Sequence, residues 1–278
     1  MIIPYPTISP IAFQIGPIAI RWYGIMYVLG YAAGAWLARW RYRRGLWTLD
    51  GPAIDSLIGY LVIGMLLGAR LIYVLLYDWP TYRGHPLRML AVWNGGLSFH
   101  GAAIGMAVAC AIFAWRRHVP WRMVADGLAV CATPGLFFGR IGNFINAELY
   151  GRPTSVPWAM VFPTDPLGVP RHPSQLYQAI TEGLVLGTLL LWLQSRIARR
   201  AASRGTITDG YLSAAFLIGY GVLRFVVEFT RQPDAQLGFV FGAFSMGQLL
   251  CLVMVAVGFA LLVVARRGEP RPIDARSS

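Results

Sequence analysis

The stretch Gly139-Arg-Ile-Gly-Asn-Phe-Ile-Asn-Ala-Glu-Leu-Tyr-Gly-Arg152 carries a cation, two amides and a carboxylate where an apolar run meets a polar loop. Arg140, Asn143 and Glu148 are its chemically useful members, and Gly139, Gly142 and Gly151 permit close backbone approach. A helix through the first half puts Arg140 and Asn143 on one face at i, i+3. A guanidinium donates two parallel hydrogen bonds to phosphate oxygens, so Arg21, Arg140 and Arg224 together suit an anionic phosphate. The same stretch also fits an interfacial cap whose arginine snorkels to lipid headgroups.

Two further groups stand out. His100 lies in Trp93-Asn-Gly-Gly-Leu-Ser-Phe-His-Gly101 at the start of an apolar segment. Histidine titrates near neutrality and can take a proton from a thiol, although an interfacial histidine is as readily a hydrogen-bonded structural residue. Ser98 lacks the second glycine of a Gly-x-Ser-Gly turn, which argues against a serine protease. Tyr220, Arg224 and Glu228 recur at i, i+4, i+8, one face of a helix. Arg224 and Glu228 fit either a phosphate site or an ion pair within the bundle, and Arg70 and Asp126 read as structural partners of other groups. With Tyr23 and Asn146, these residues cluster toward one end of the predicted segments, and ionisable groups at membrane depth usually mark a site or pathway.

The elements that must position these residues are apolar. The chain has 278 residues, 56% hydrophobic and 13% charged; a soluble domain carries about 25% charged residues. Its apolar runs have the length needed to cross a hydrocarbon core, about 20 residues. Seven segments are predicted: Ile18–Ala38, Ser56–Tyr77, Gly96–Trp115, Met123–Gly139, Gln175–Ser195, Tyr211–Phe229 and Phe239–Ala265. The fourth is weakest, since it contains Asp126 and Pro134-Gly135. The runs do not alternate as barrel strands would, so helices are expected. The expected fold is an all-α polytopic bundle of seven transmembrane helices, a single integral membrane domain over residues 1–278, with a polar loop at about 140–174.

All 24 basic residues are arginine, and the formal net charge is +12. The arginines flank or interrupt apolar runs, which points to anionic lipid and topology and away from nucleic acid. Four connections or ends carry clusters: Arg39 to Arg44, Arg116 to Arg122, Arg196 to Arg204, and Arg266 to Arg276. The positive-inside rule makes these cytoplasmic, with the N-terminus outside. Trp47 and Trp79 fit an interfacial aromatic belt. Cys110, Cys131 and Cys251 lie in apolar runs without a CxxC and read as small buried hydrophobes. Residues 1–20 carry four prolines and no early basic region, so no cleavable signal is evident. Arg231-Gln-Pro-Asp-Ala-Gln236 reads as a tight outer turn. A secondary transporter is the alternative class, but no paired repeats with broken helices are found.

The motifs resemble those of the prolipoprotein diacylglyceryl transferase family. They are Gly139–Arg152, Trp22-Tyr-Gly24, Gly95-Gly-Leu-Ser-Phe-His-Gly101, Arg171-His-Pro-Ser-Gln-Leu-Tyr177, Gly219-Tyr-Gly221 with Arg224, Val227-Glu-Phe229, Arg231–Gln236 and Ser245-Met-Gly-Gln248. They run in family order from about Phe13 to Arg267, with Ala147 and Tyr150 as conservative departures. The resemblance implies transfer of the diacylglyceryl group of phosphatidylglycerol to the lipobox cysteine thiol of a prolipoprotein signal peptide, releasing glycerol 1-phosphate. It implies no metal or organic cofactor, a multi-pass protein of the cell inner membrane, and a site facing the periplasm. It implies substrate-binding roles for Arg140, Asn143, Glu148, Gly151 and Arg224. It implies essential site roles for Tyr23, His100, Arg140, Tyr220, Arg224 and Glu228, with His100 the first candidate for general base.

Overall fold

A computed structural model of the chain describes residues 3–84, 88–89, 96–232, 239–241 and 244–272. The chain forms two compact units, one of Met1–Trp40 with Asp126–Ser278 and one of Arg41–Ala125.

Strands β1 (Ile11–Ile15) and β2 (Ile18–Arg21) pair antiparallel, with Ile15 opposite Ile18. Gly16, at φ +56°, and Pro17 turn the chain between two isoleucine-rich runs, a sequence better suited to a hairpin than to a helix. Helix α1 (Trp22–Arg43) therefore starts later than the expected Ile18.

The second unit is built on α2 (Gly51–Ile72), which ends in a π-helical turn over Tyr73–Tyr77. Asp50 caps α2 by accepting from the Ala53 amide, and a proline fits the first turn, where no amide is needed. A short helix α3 (Trp79–Tyr82) follows, then α4 (Phe99–Arg117), whose Ser98 cap accepts from the Gly101 amide. α2 and α4 cross with backbones in near contact. A Cβ at Gly68 would lie 2.3 Å from the Gly101 carbonyl oxygen, and one at Gly105 would lie 2.0 Å from that of Gly64. Each helix thus places two glycines four residues apart on its contact face, the small-residue spacing that lets membrane helices approach closely. Arg70 is explained in this unit: it donates to the carbonyls of Arg88, Met89 and Gly96 and holds loop backbone. Trp47, expected at the interface, is buried beneath the Arg41 guanidinium and donates to the Met123 carbonyl.

The first unit continues with α5 (Trp121–Cys131) and α6 (Thr133–Ile145), separated at Ala132 where Pro134 enters the first turn of α6. α7 (Ser174–Gln178), a π-helical turn (Ala179–Val185) and α8 (Leu186–Arg204) make one continuous rod. Strand β3 (Thr206–Ile207), α9 (Tyr211–Glu228), β4 (Phe239–Phe241), β5 (Phe244–Ser245), α10 (Met246–Arg267) and β6 (Arg271–Pro272) complete the chain. α10 begins at Met246, not Phe239, because Ser245 and Gln248 form a reciprocal cap and the residues before them pair as strands. β3 pairs with β6, so the ends of α8 and α10 lie together. Leu37, Val130, Leu186, Leu190 and Leu212 form a buried apolar cluster. Asp126 caps α9, accepting from the Gly210 and Ser213 amides and the Ser213 hydroxyl.

The fold is mostly helical, with three two-stranded pairs among the described residues that an all-α expectation omits. Among the described residues five stretches are long and apolar enough to cross a membrane: Gly51–Tyr77, Trp121–Ile145, Ser174–Arg204, Tyr211–Glu228 and Met246–Arg267. The chain is a multi-pass membrane protein. The expected turn at Arg231–Gln236 falls largely outside the described residues, as does Trp93–Gly95. Among the described residues Cys110, Cys131 and Cys251 form no disulfide; Cys110 and Cys251 are buried and Cys131 is half-buried.

Candidate active site

Three helical elements of the first unit bring charged side chains to one place. Arg140 comes from α6, Glu182 from the π-helical turn before α8, and Arg224 and Glu228 from the last turns of α9. Arg224 Nη2 is 2.8 Å from Glu228 Oε2, the i, i+4 pair that the spacing suggested. Glu182 reaches both arginines: Oε1 lies 3.6 Å from Arg224 Nη1, and Oε2 lies 3.8 Å from Arg140 Nε. The Glu182 side chain is fully buried, whereas that of Arg140 retains 21% exposure. Arg231 Nη1 approaches Glu228 at 3.8 Å. Two guanidiniums from separate helices therefore converge on one buried carboxylate.

The π-helical turn is what aims Glu182. Gly183 beside it faces Phe137 of α6, and a Cβ there would meet Phe137 backbone atoms at 2.9–3.0 Å. That close approach lets α6 carry Arg140 up to the turn. Glu182 stands outside the motifs that the sequence singles out. Its signal was plain: an ionisable residue inside the apolar segment Gln175–Ser195.

Glu228 is held from the other side. The Ser245 hydroxyl donates to Glu228 Oε1 at 3.2 Å, and Gly247 leaves room for the carboxylate, since a Cβ there would lie 2.7 Å from Oε1. Several buried polar side-chain atoms have no hydrogen bond among the described residues: Gln175 Oε1, Gln178 Nε2, Gln248 Nε2, Arg224 Nη1, Glu228 Oε2 and both oxygens of Glu182. Buried polar groups are normally paired, so this is a region with hydrogen-bonding capacity to spend. Tyr220 sits one turn before Arg224 on α9, its ring stacked on Phe216.

The signature loop follows α6. Asn143 Nδ2 donates to Glu148 Oε1 at 2.7 Å, and Asn146 Nδ2 approaches the same oxygen at 3.5 Å. Glu148 is thus held by side-chain amides of its own loop. Ala147 and Leu149 on either side adopt left-handed backbone (φ +53° and +58°), conformations costly for residues with a Cβ. Gln175 fixes the loop by donating to the Glu148 carbonyl at 2.6 Å, and Ser174 donates to that of Leu149. Tyr23, in the first turn of α1, packs its ring on Gly142, shares a hydrogen bond with Tyr27, and has Asn143 and Glu148 as polar neighbours.

Beyond the loop, Gly151 is clamped between strands of irregular backbone. Its amide donates to the His172 carbonyl, and a Cβ would lie 2.3 Å from the Thr230 carbonyl oxygen. This accounts for a glycine there without assigning it a ligand. Arg171 forms a two-pronged pair with Asp165 (2.6 and 2.9 Å) and donates to the Gly151 carbonyl. The Arg171 guanidinium holds the Asp165 carboxyl below the usual carboxylate range. Burial pushes the Tyr150 hydroxyl up, with nearby Asp165 adding to it, and burial lowers the His172 imidazole. Phe144, Ala147 and Phe162 underlie the loop, with Tyr5 and Tyr150 packed against them.

His100 belongs to the second unit. It occupies the first turn of α4 in the second unit and is exposed. The structure thus gathers Arg140, Arg224 and Glu228 with Tyr220 one turn away, and separately gathers Tyr23, Asn143 and Glu148. Among the described residues no three His, Cys, Asp or Glu side chains are grouped to hold a metal ion.

Residues 10–264 match the model of the family described as prolipoprotein diacylglyceryl transferase. Phosphatidylglycerol–prolipoprotein diacylglyceryl transferase of Azospirillum brasilense is 48% identical over 271 residues, covering 95% of this chain and 97% of that protein. The enzymes of that name from Bordetella parapertussis and Nitratidesulfovibrio vulgaris are 47% and 44% identical, covering 96% and 93% of this chain and 99% and 95% of their own. This chain belongs to the prolipoprotein diacylglyceryl transferase family.

Proposed function

We propose that this protein transfers the diacylglyceryl group of phosphatidylglycerol to the lipobox cysteine thiol of a prolipoprotein signal peptide, the first step of lipoprotein maturation. The observation that carries the proposal is the convergence of Arg140 and Arg224, from separate helices, on one buried point. Such a pair can share a single phosphate. The substrate thiol loses its proton, and the thiolate sulfur attacks the glyceryl C3 carbon. The C–O bond to phosphate breaks, its electron pair passes to the phosphate oxygen, and glycerol 1-phosphate leaves. Arg140 and Arg224 meet the charge that grows on that oxygen, usually the largest catalytic contribution. Asn143 and Glu148 face the hydroxyls of the donor headgroup, and Gly151 keeps the loop in register against Thr230. Tyr23 and Tyr220 line the approaches, and Glu228 holds Arg224 in direction. His100 is assigned as the base on imidazole chemistry and its motif, and not on a distance.

The topology proposed with this function has seven spans: the five apolar stretches together with α1 and α4. The N-terminus is periplasmic and the C-terminus cytoplasmic, supported by the four arginine clusters. The protein then resides in the inner membrane with the Arg140 site toward the periplasm.

The test is mass spectrometry of a lipobox peptide after incubation with purified protein and phosphatidylglycerol. The peptide gains one diacylglyceryl group with the wild-type chain. Arg140→Ala, still inserted, loses about 10²–10³ in rate. Transfer by folded Arg140→Ala at near wild-type rate would overturn the site.

A further inference from the structure

Glu182 has no part in the chemistry described above, yet it is the carboxylate on which both phosphate-binding arginines converge. Its contacts differ in kind from those of Glu228. Glu228 meets Arg224 at 2.8 Å through Oε2, and its Oε1 accepts a hydrogen bond from Ser245. Glu182 stands back at 3.6 and 3.8 Å, and neither oxygen accepts a hydrogen bond among the described residues. It therefore supplies a fixed negative charge behind the arginines without consuming their donors. Arg224 Nη1, the nitrogen that faces it, likewise has no hydrogen-bond partner among the described residues.

We propose that Glu182 is a specificity-determining residue: its charge makes the Arg140–Arg224 pair discriminate against a dianionic phosphomonoester relative to a monoanionic phosphodiester. This rests on the function proposed above, in which the donor is a diester and the released headgroup a monoester. A phosphate bound by both guanidiniums lies within a few ångströms of Glu182. Coulomb energy scales with the product of the charges, so Glu182 repels a dianion twice as strongly as a monoanion at the same position. Burial of the carboxylate keeps salt from screening this term. The diester is monoanionic at every relevant pH, while a phosphomonoester becomes dianionic above about pH 6. The arginines thus hold the donor lipid, and Glu182 weakens their grip on the headgroup product. It acts through the two arginines and touches no reacting atom.

The experiment measures equilibrium affinity calorimetrically at pH 8, with purified full-length protein in detergent. The probes are glycerol 1-phosphate and glycerophosphoglycerol, the water-soluble diester. In Glu182→Gln both probes bind more tightly. If the diester gains a factor n, the monoester gains about n squared, and at least about tenfold. Glu182→Asp keeps the charge and retains the wild-type ratio between probes. Equal gains for both probes, no gain, no measurable binding of either probe to wild type and Glu182→Gln, or loss of the ratio in Glu182→Asp would each overturn the proposal. Should Glu182→Gln fail to fold, Glu182→Ala is read in the same way: the monoester must gain more affinity than the diester, and equal gains refute the role. Lipid transfer to a lipobox peptide is assayed separately. Its absence in wild type would sink the function, while the affinity ratios would still judge Glu182.

Discussion

At the scale of single residues, the first unit separates two kinds of charge. Arg171 and Asp165 are mutually satisfied and anchor the outer loop. Arg140, Arg224 and Glu182 are brought close, and among the described residues Arg224 Nη1 and both Glu182 oxygens have no hydrogen bond. A group arranged only for stability would be expected to close those bonds, because an unpaired buried polar atom costs about 1–3 kcal/mol. His100 is the residue whose role depends least on this geometry. If it is the base, lipid transfer by His100→Gln has a pH profile different from that of wild type. Identical profiles for the two proteins would make His100 structural, with the arginine-rich surroundings sufficient to ionise the thiol.

At the scale of elements, glycine decides which helices can meet. The pairs Gly64 and Gly68 on α2 and Gly101 and Gly105 on α4 allow backbone contact, and a side chain at any of them would enter the other helix. Gly105→Leu is therefore expected to lower stability by about 1–3 kcal/mol or more, the cost of overpacking a closed interface. Gly59→Leu, on α2 where nothing lies within 4 Å, provides the control and leaves thermal unfolding unchanged. Equal effects of the two substitutions would deny the close crossing. The π-helical turn at Ala179–Val185 serves function instead: π turns inside α-helices frequently occur at functional sites, and this one carries Glu182.

At the scale of the whole molecule, an arginine-rich membrane protein keeps a folded polar loop beyond its apolar helices, and acid should loosen that loop. The Asp165 carboxyl has a folded-state pKa below its unfolded value of about 3.9. Its pair with Arg171 therefore contributes stability above the unfolded pKa, and that contribution is lost as pH falls through the lower folded value. Asp165→Asn is expected to lower Tm by several degrees at pH 7. The gap from wild type narrows below about pH 4, as the wild-type carboxyl itself becomes protonated. A gap that stayed constant from pH 7 to pH 3 would show that the ion pair contributes nothing.

The sequence alone determined that the chain lives in a membrane, where most of its helices lie though not where they end, and which family its motifs resemble. Those properties are local: apolar run length, arginine placement and the spacing of Tyr220, Arg224 and Glu228. Hairpin β1–β2 and the late start of α10 were also encoded locally, by Gly16-Pro17 and the Ser245–Gln248 cap, but hydrophobicity hid both. Tertiary structure decided what each charge faces. Arg70 turned out to hold loop carbonyls and Asp126 to cap α9. Glu182 acquired its place only when Gly183 let α6 approach the π-helical turn. Spacing along one helix fixes a face, whereas convergence of side chains from three elements depends on packing that no single segment records.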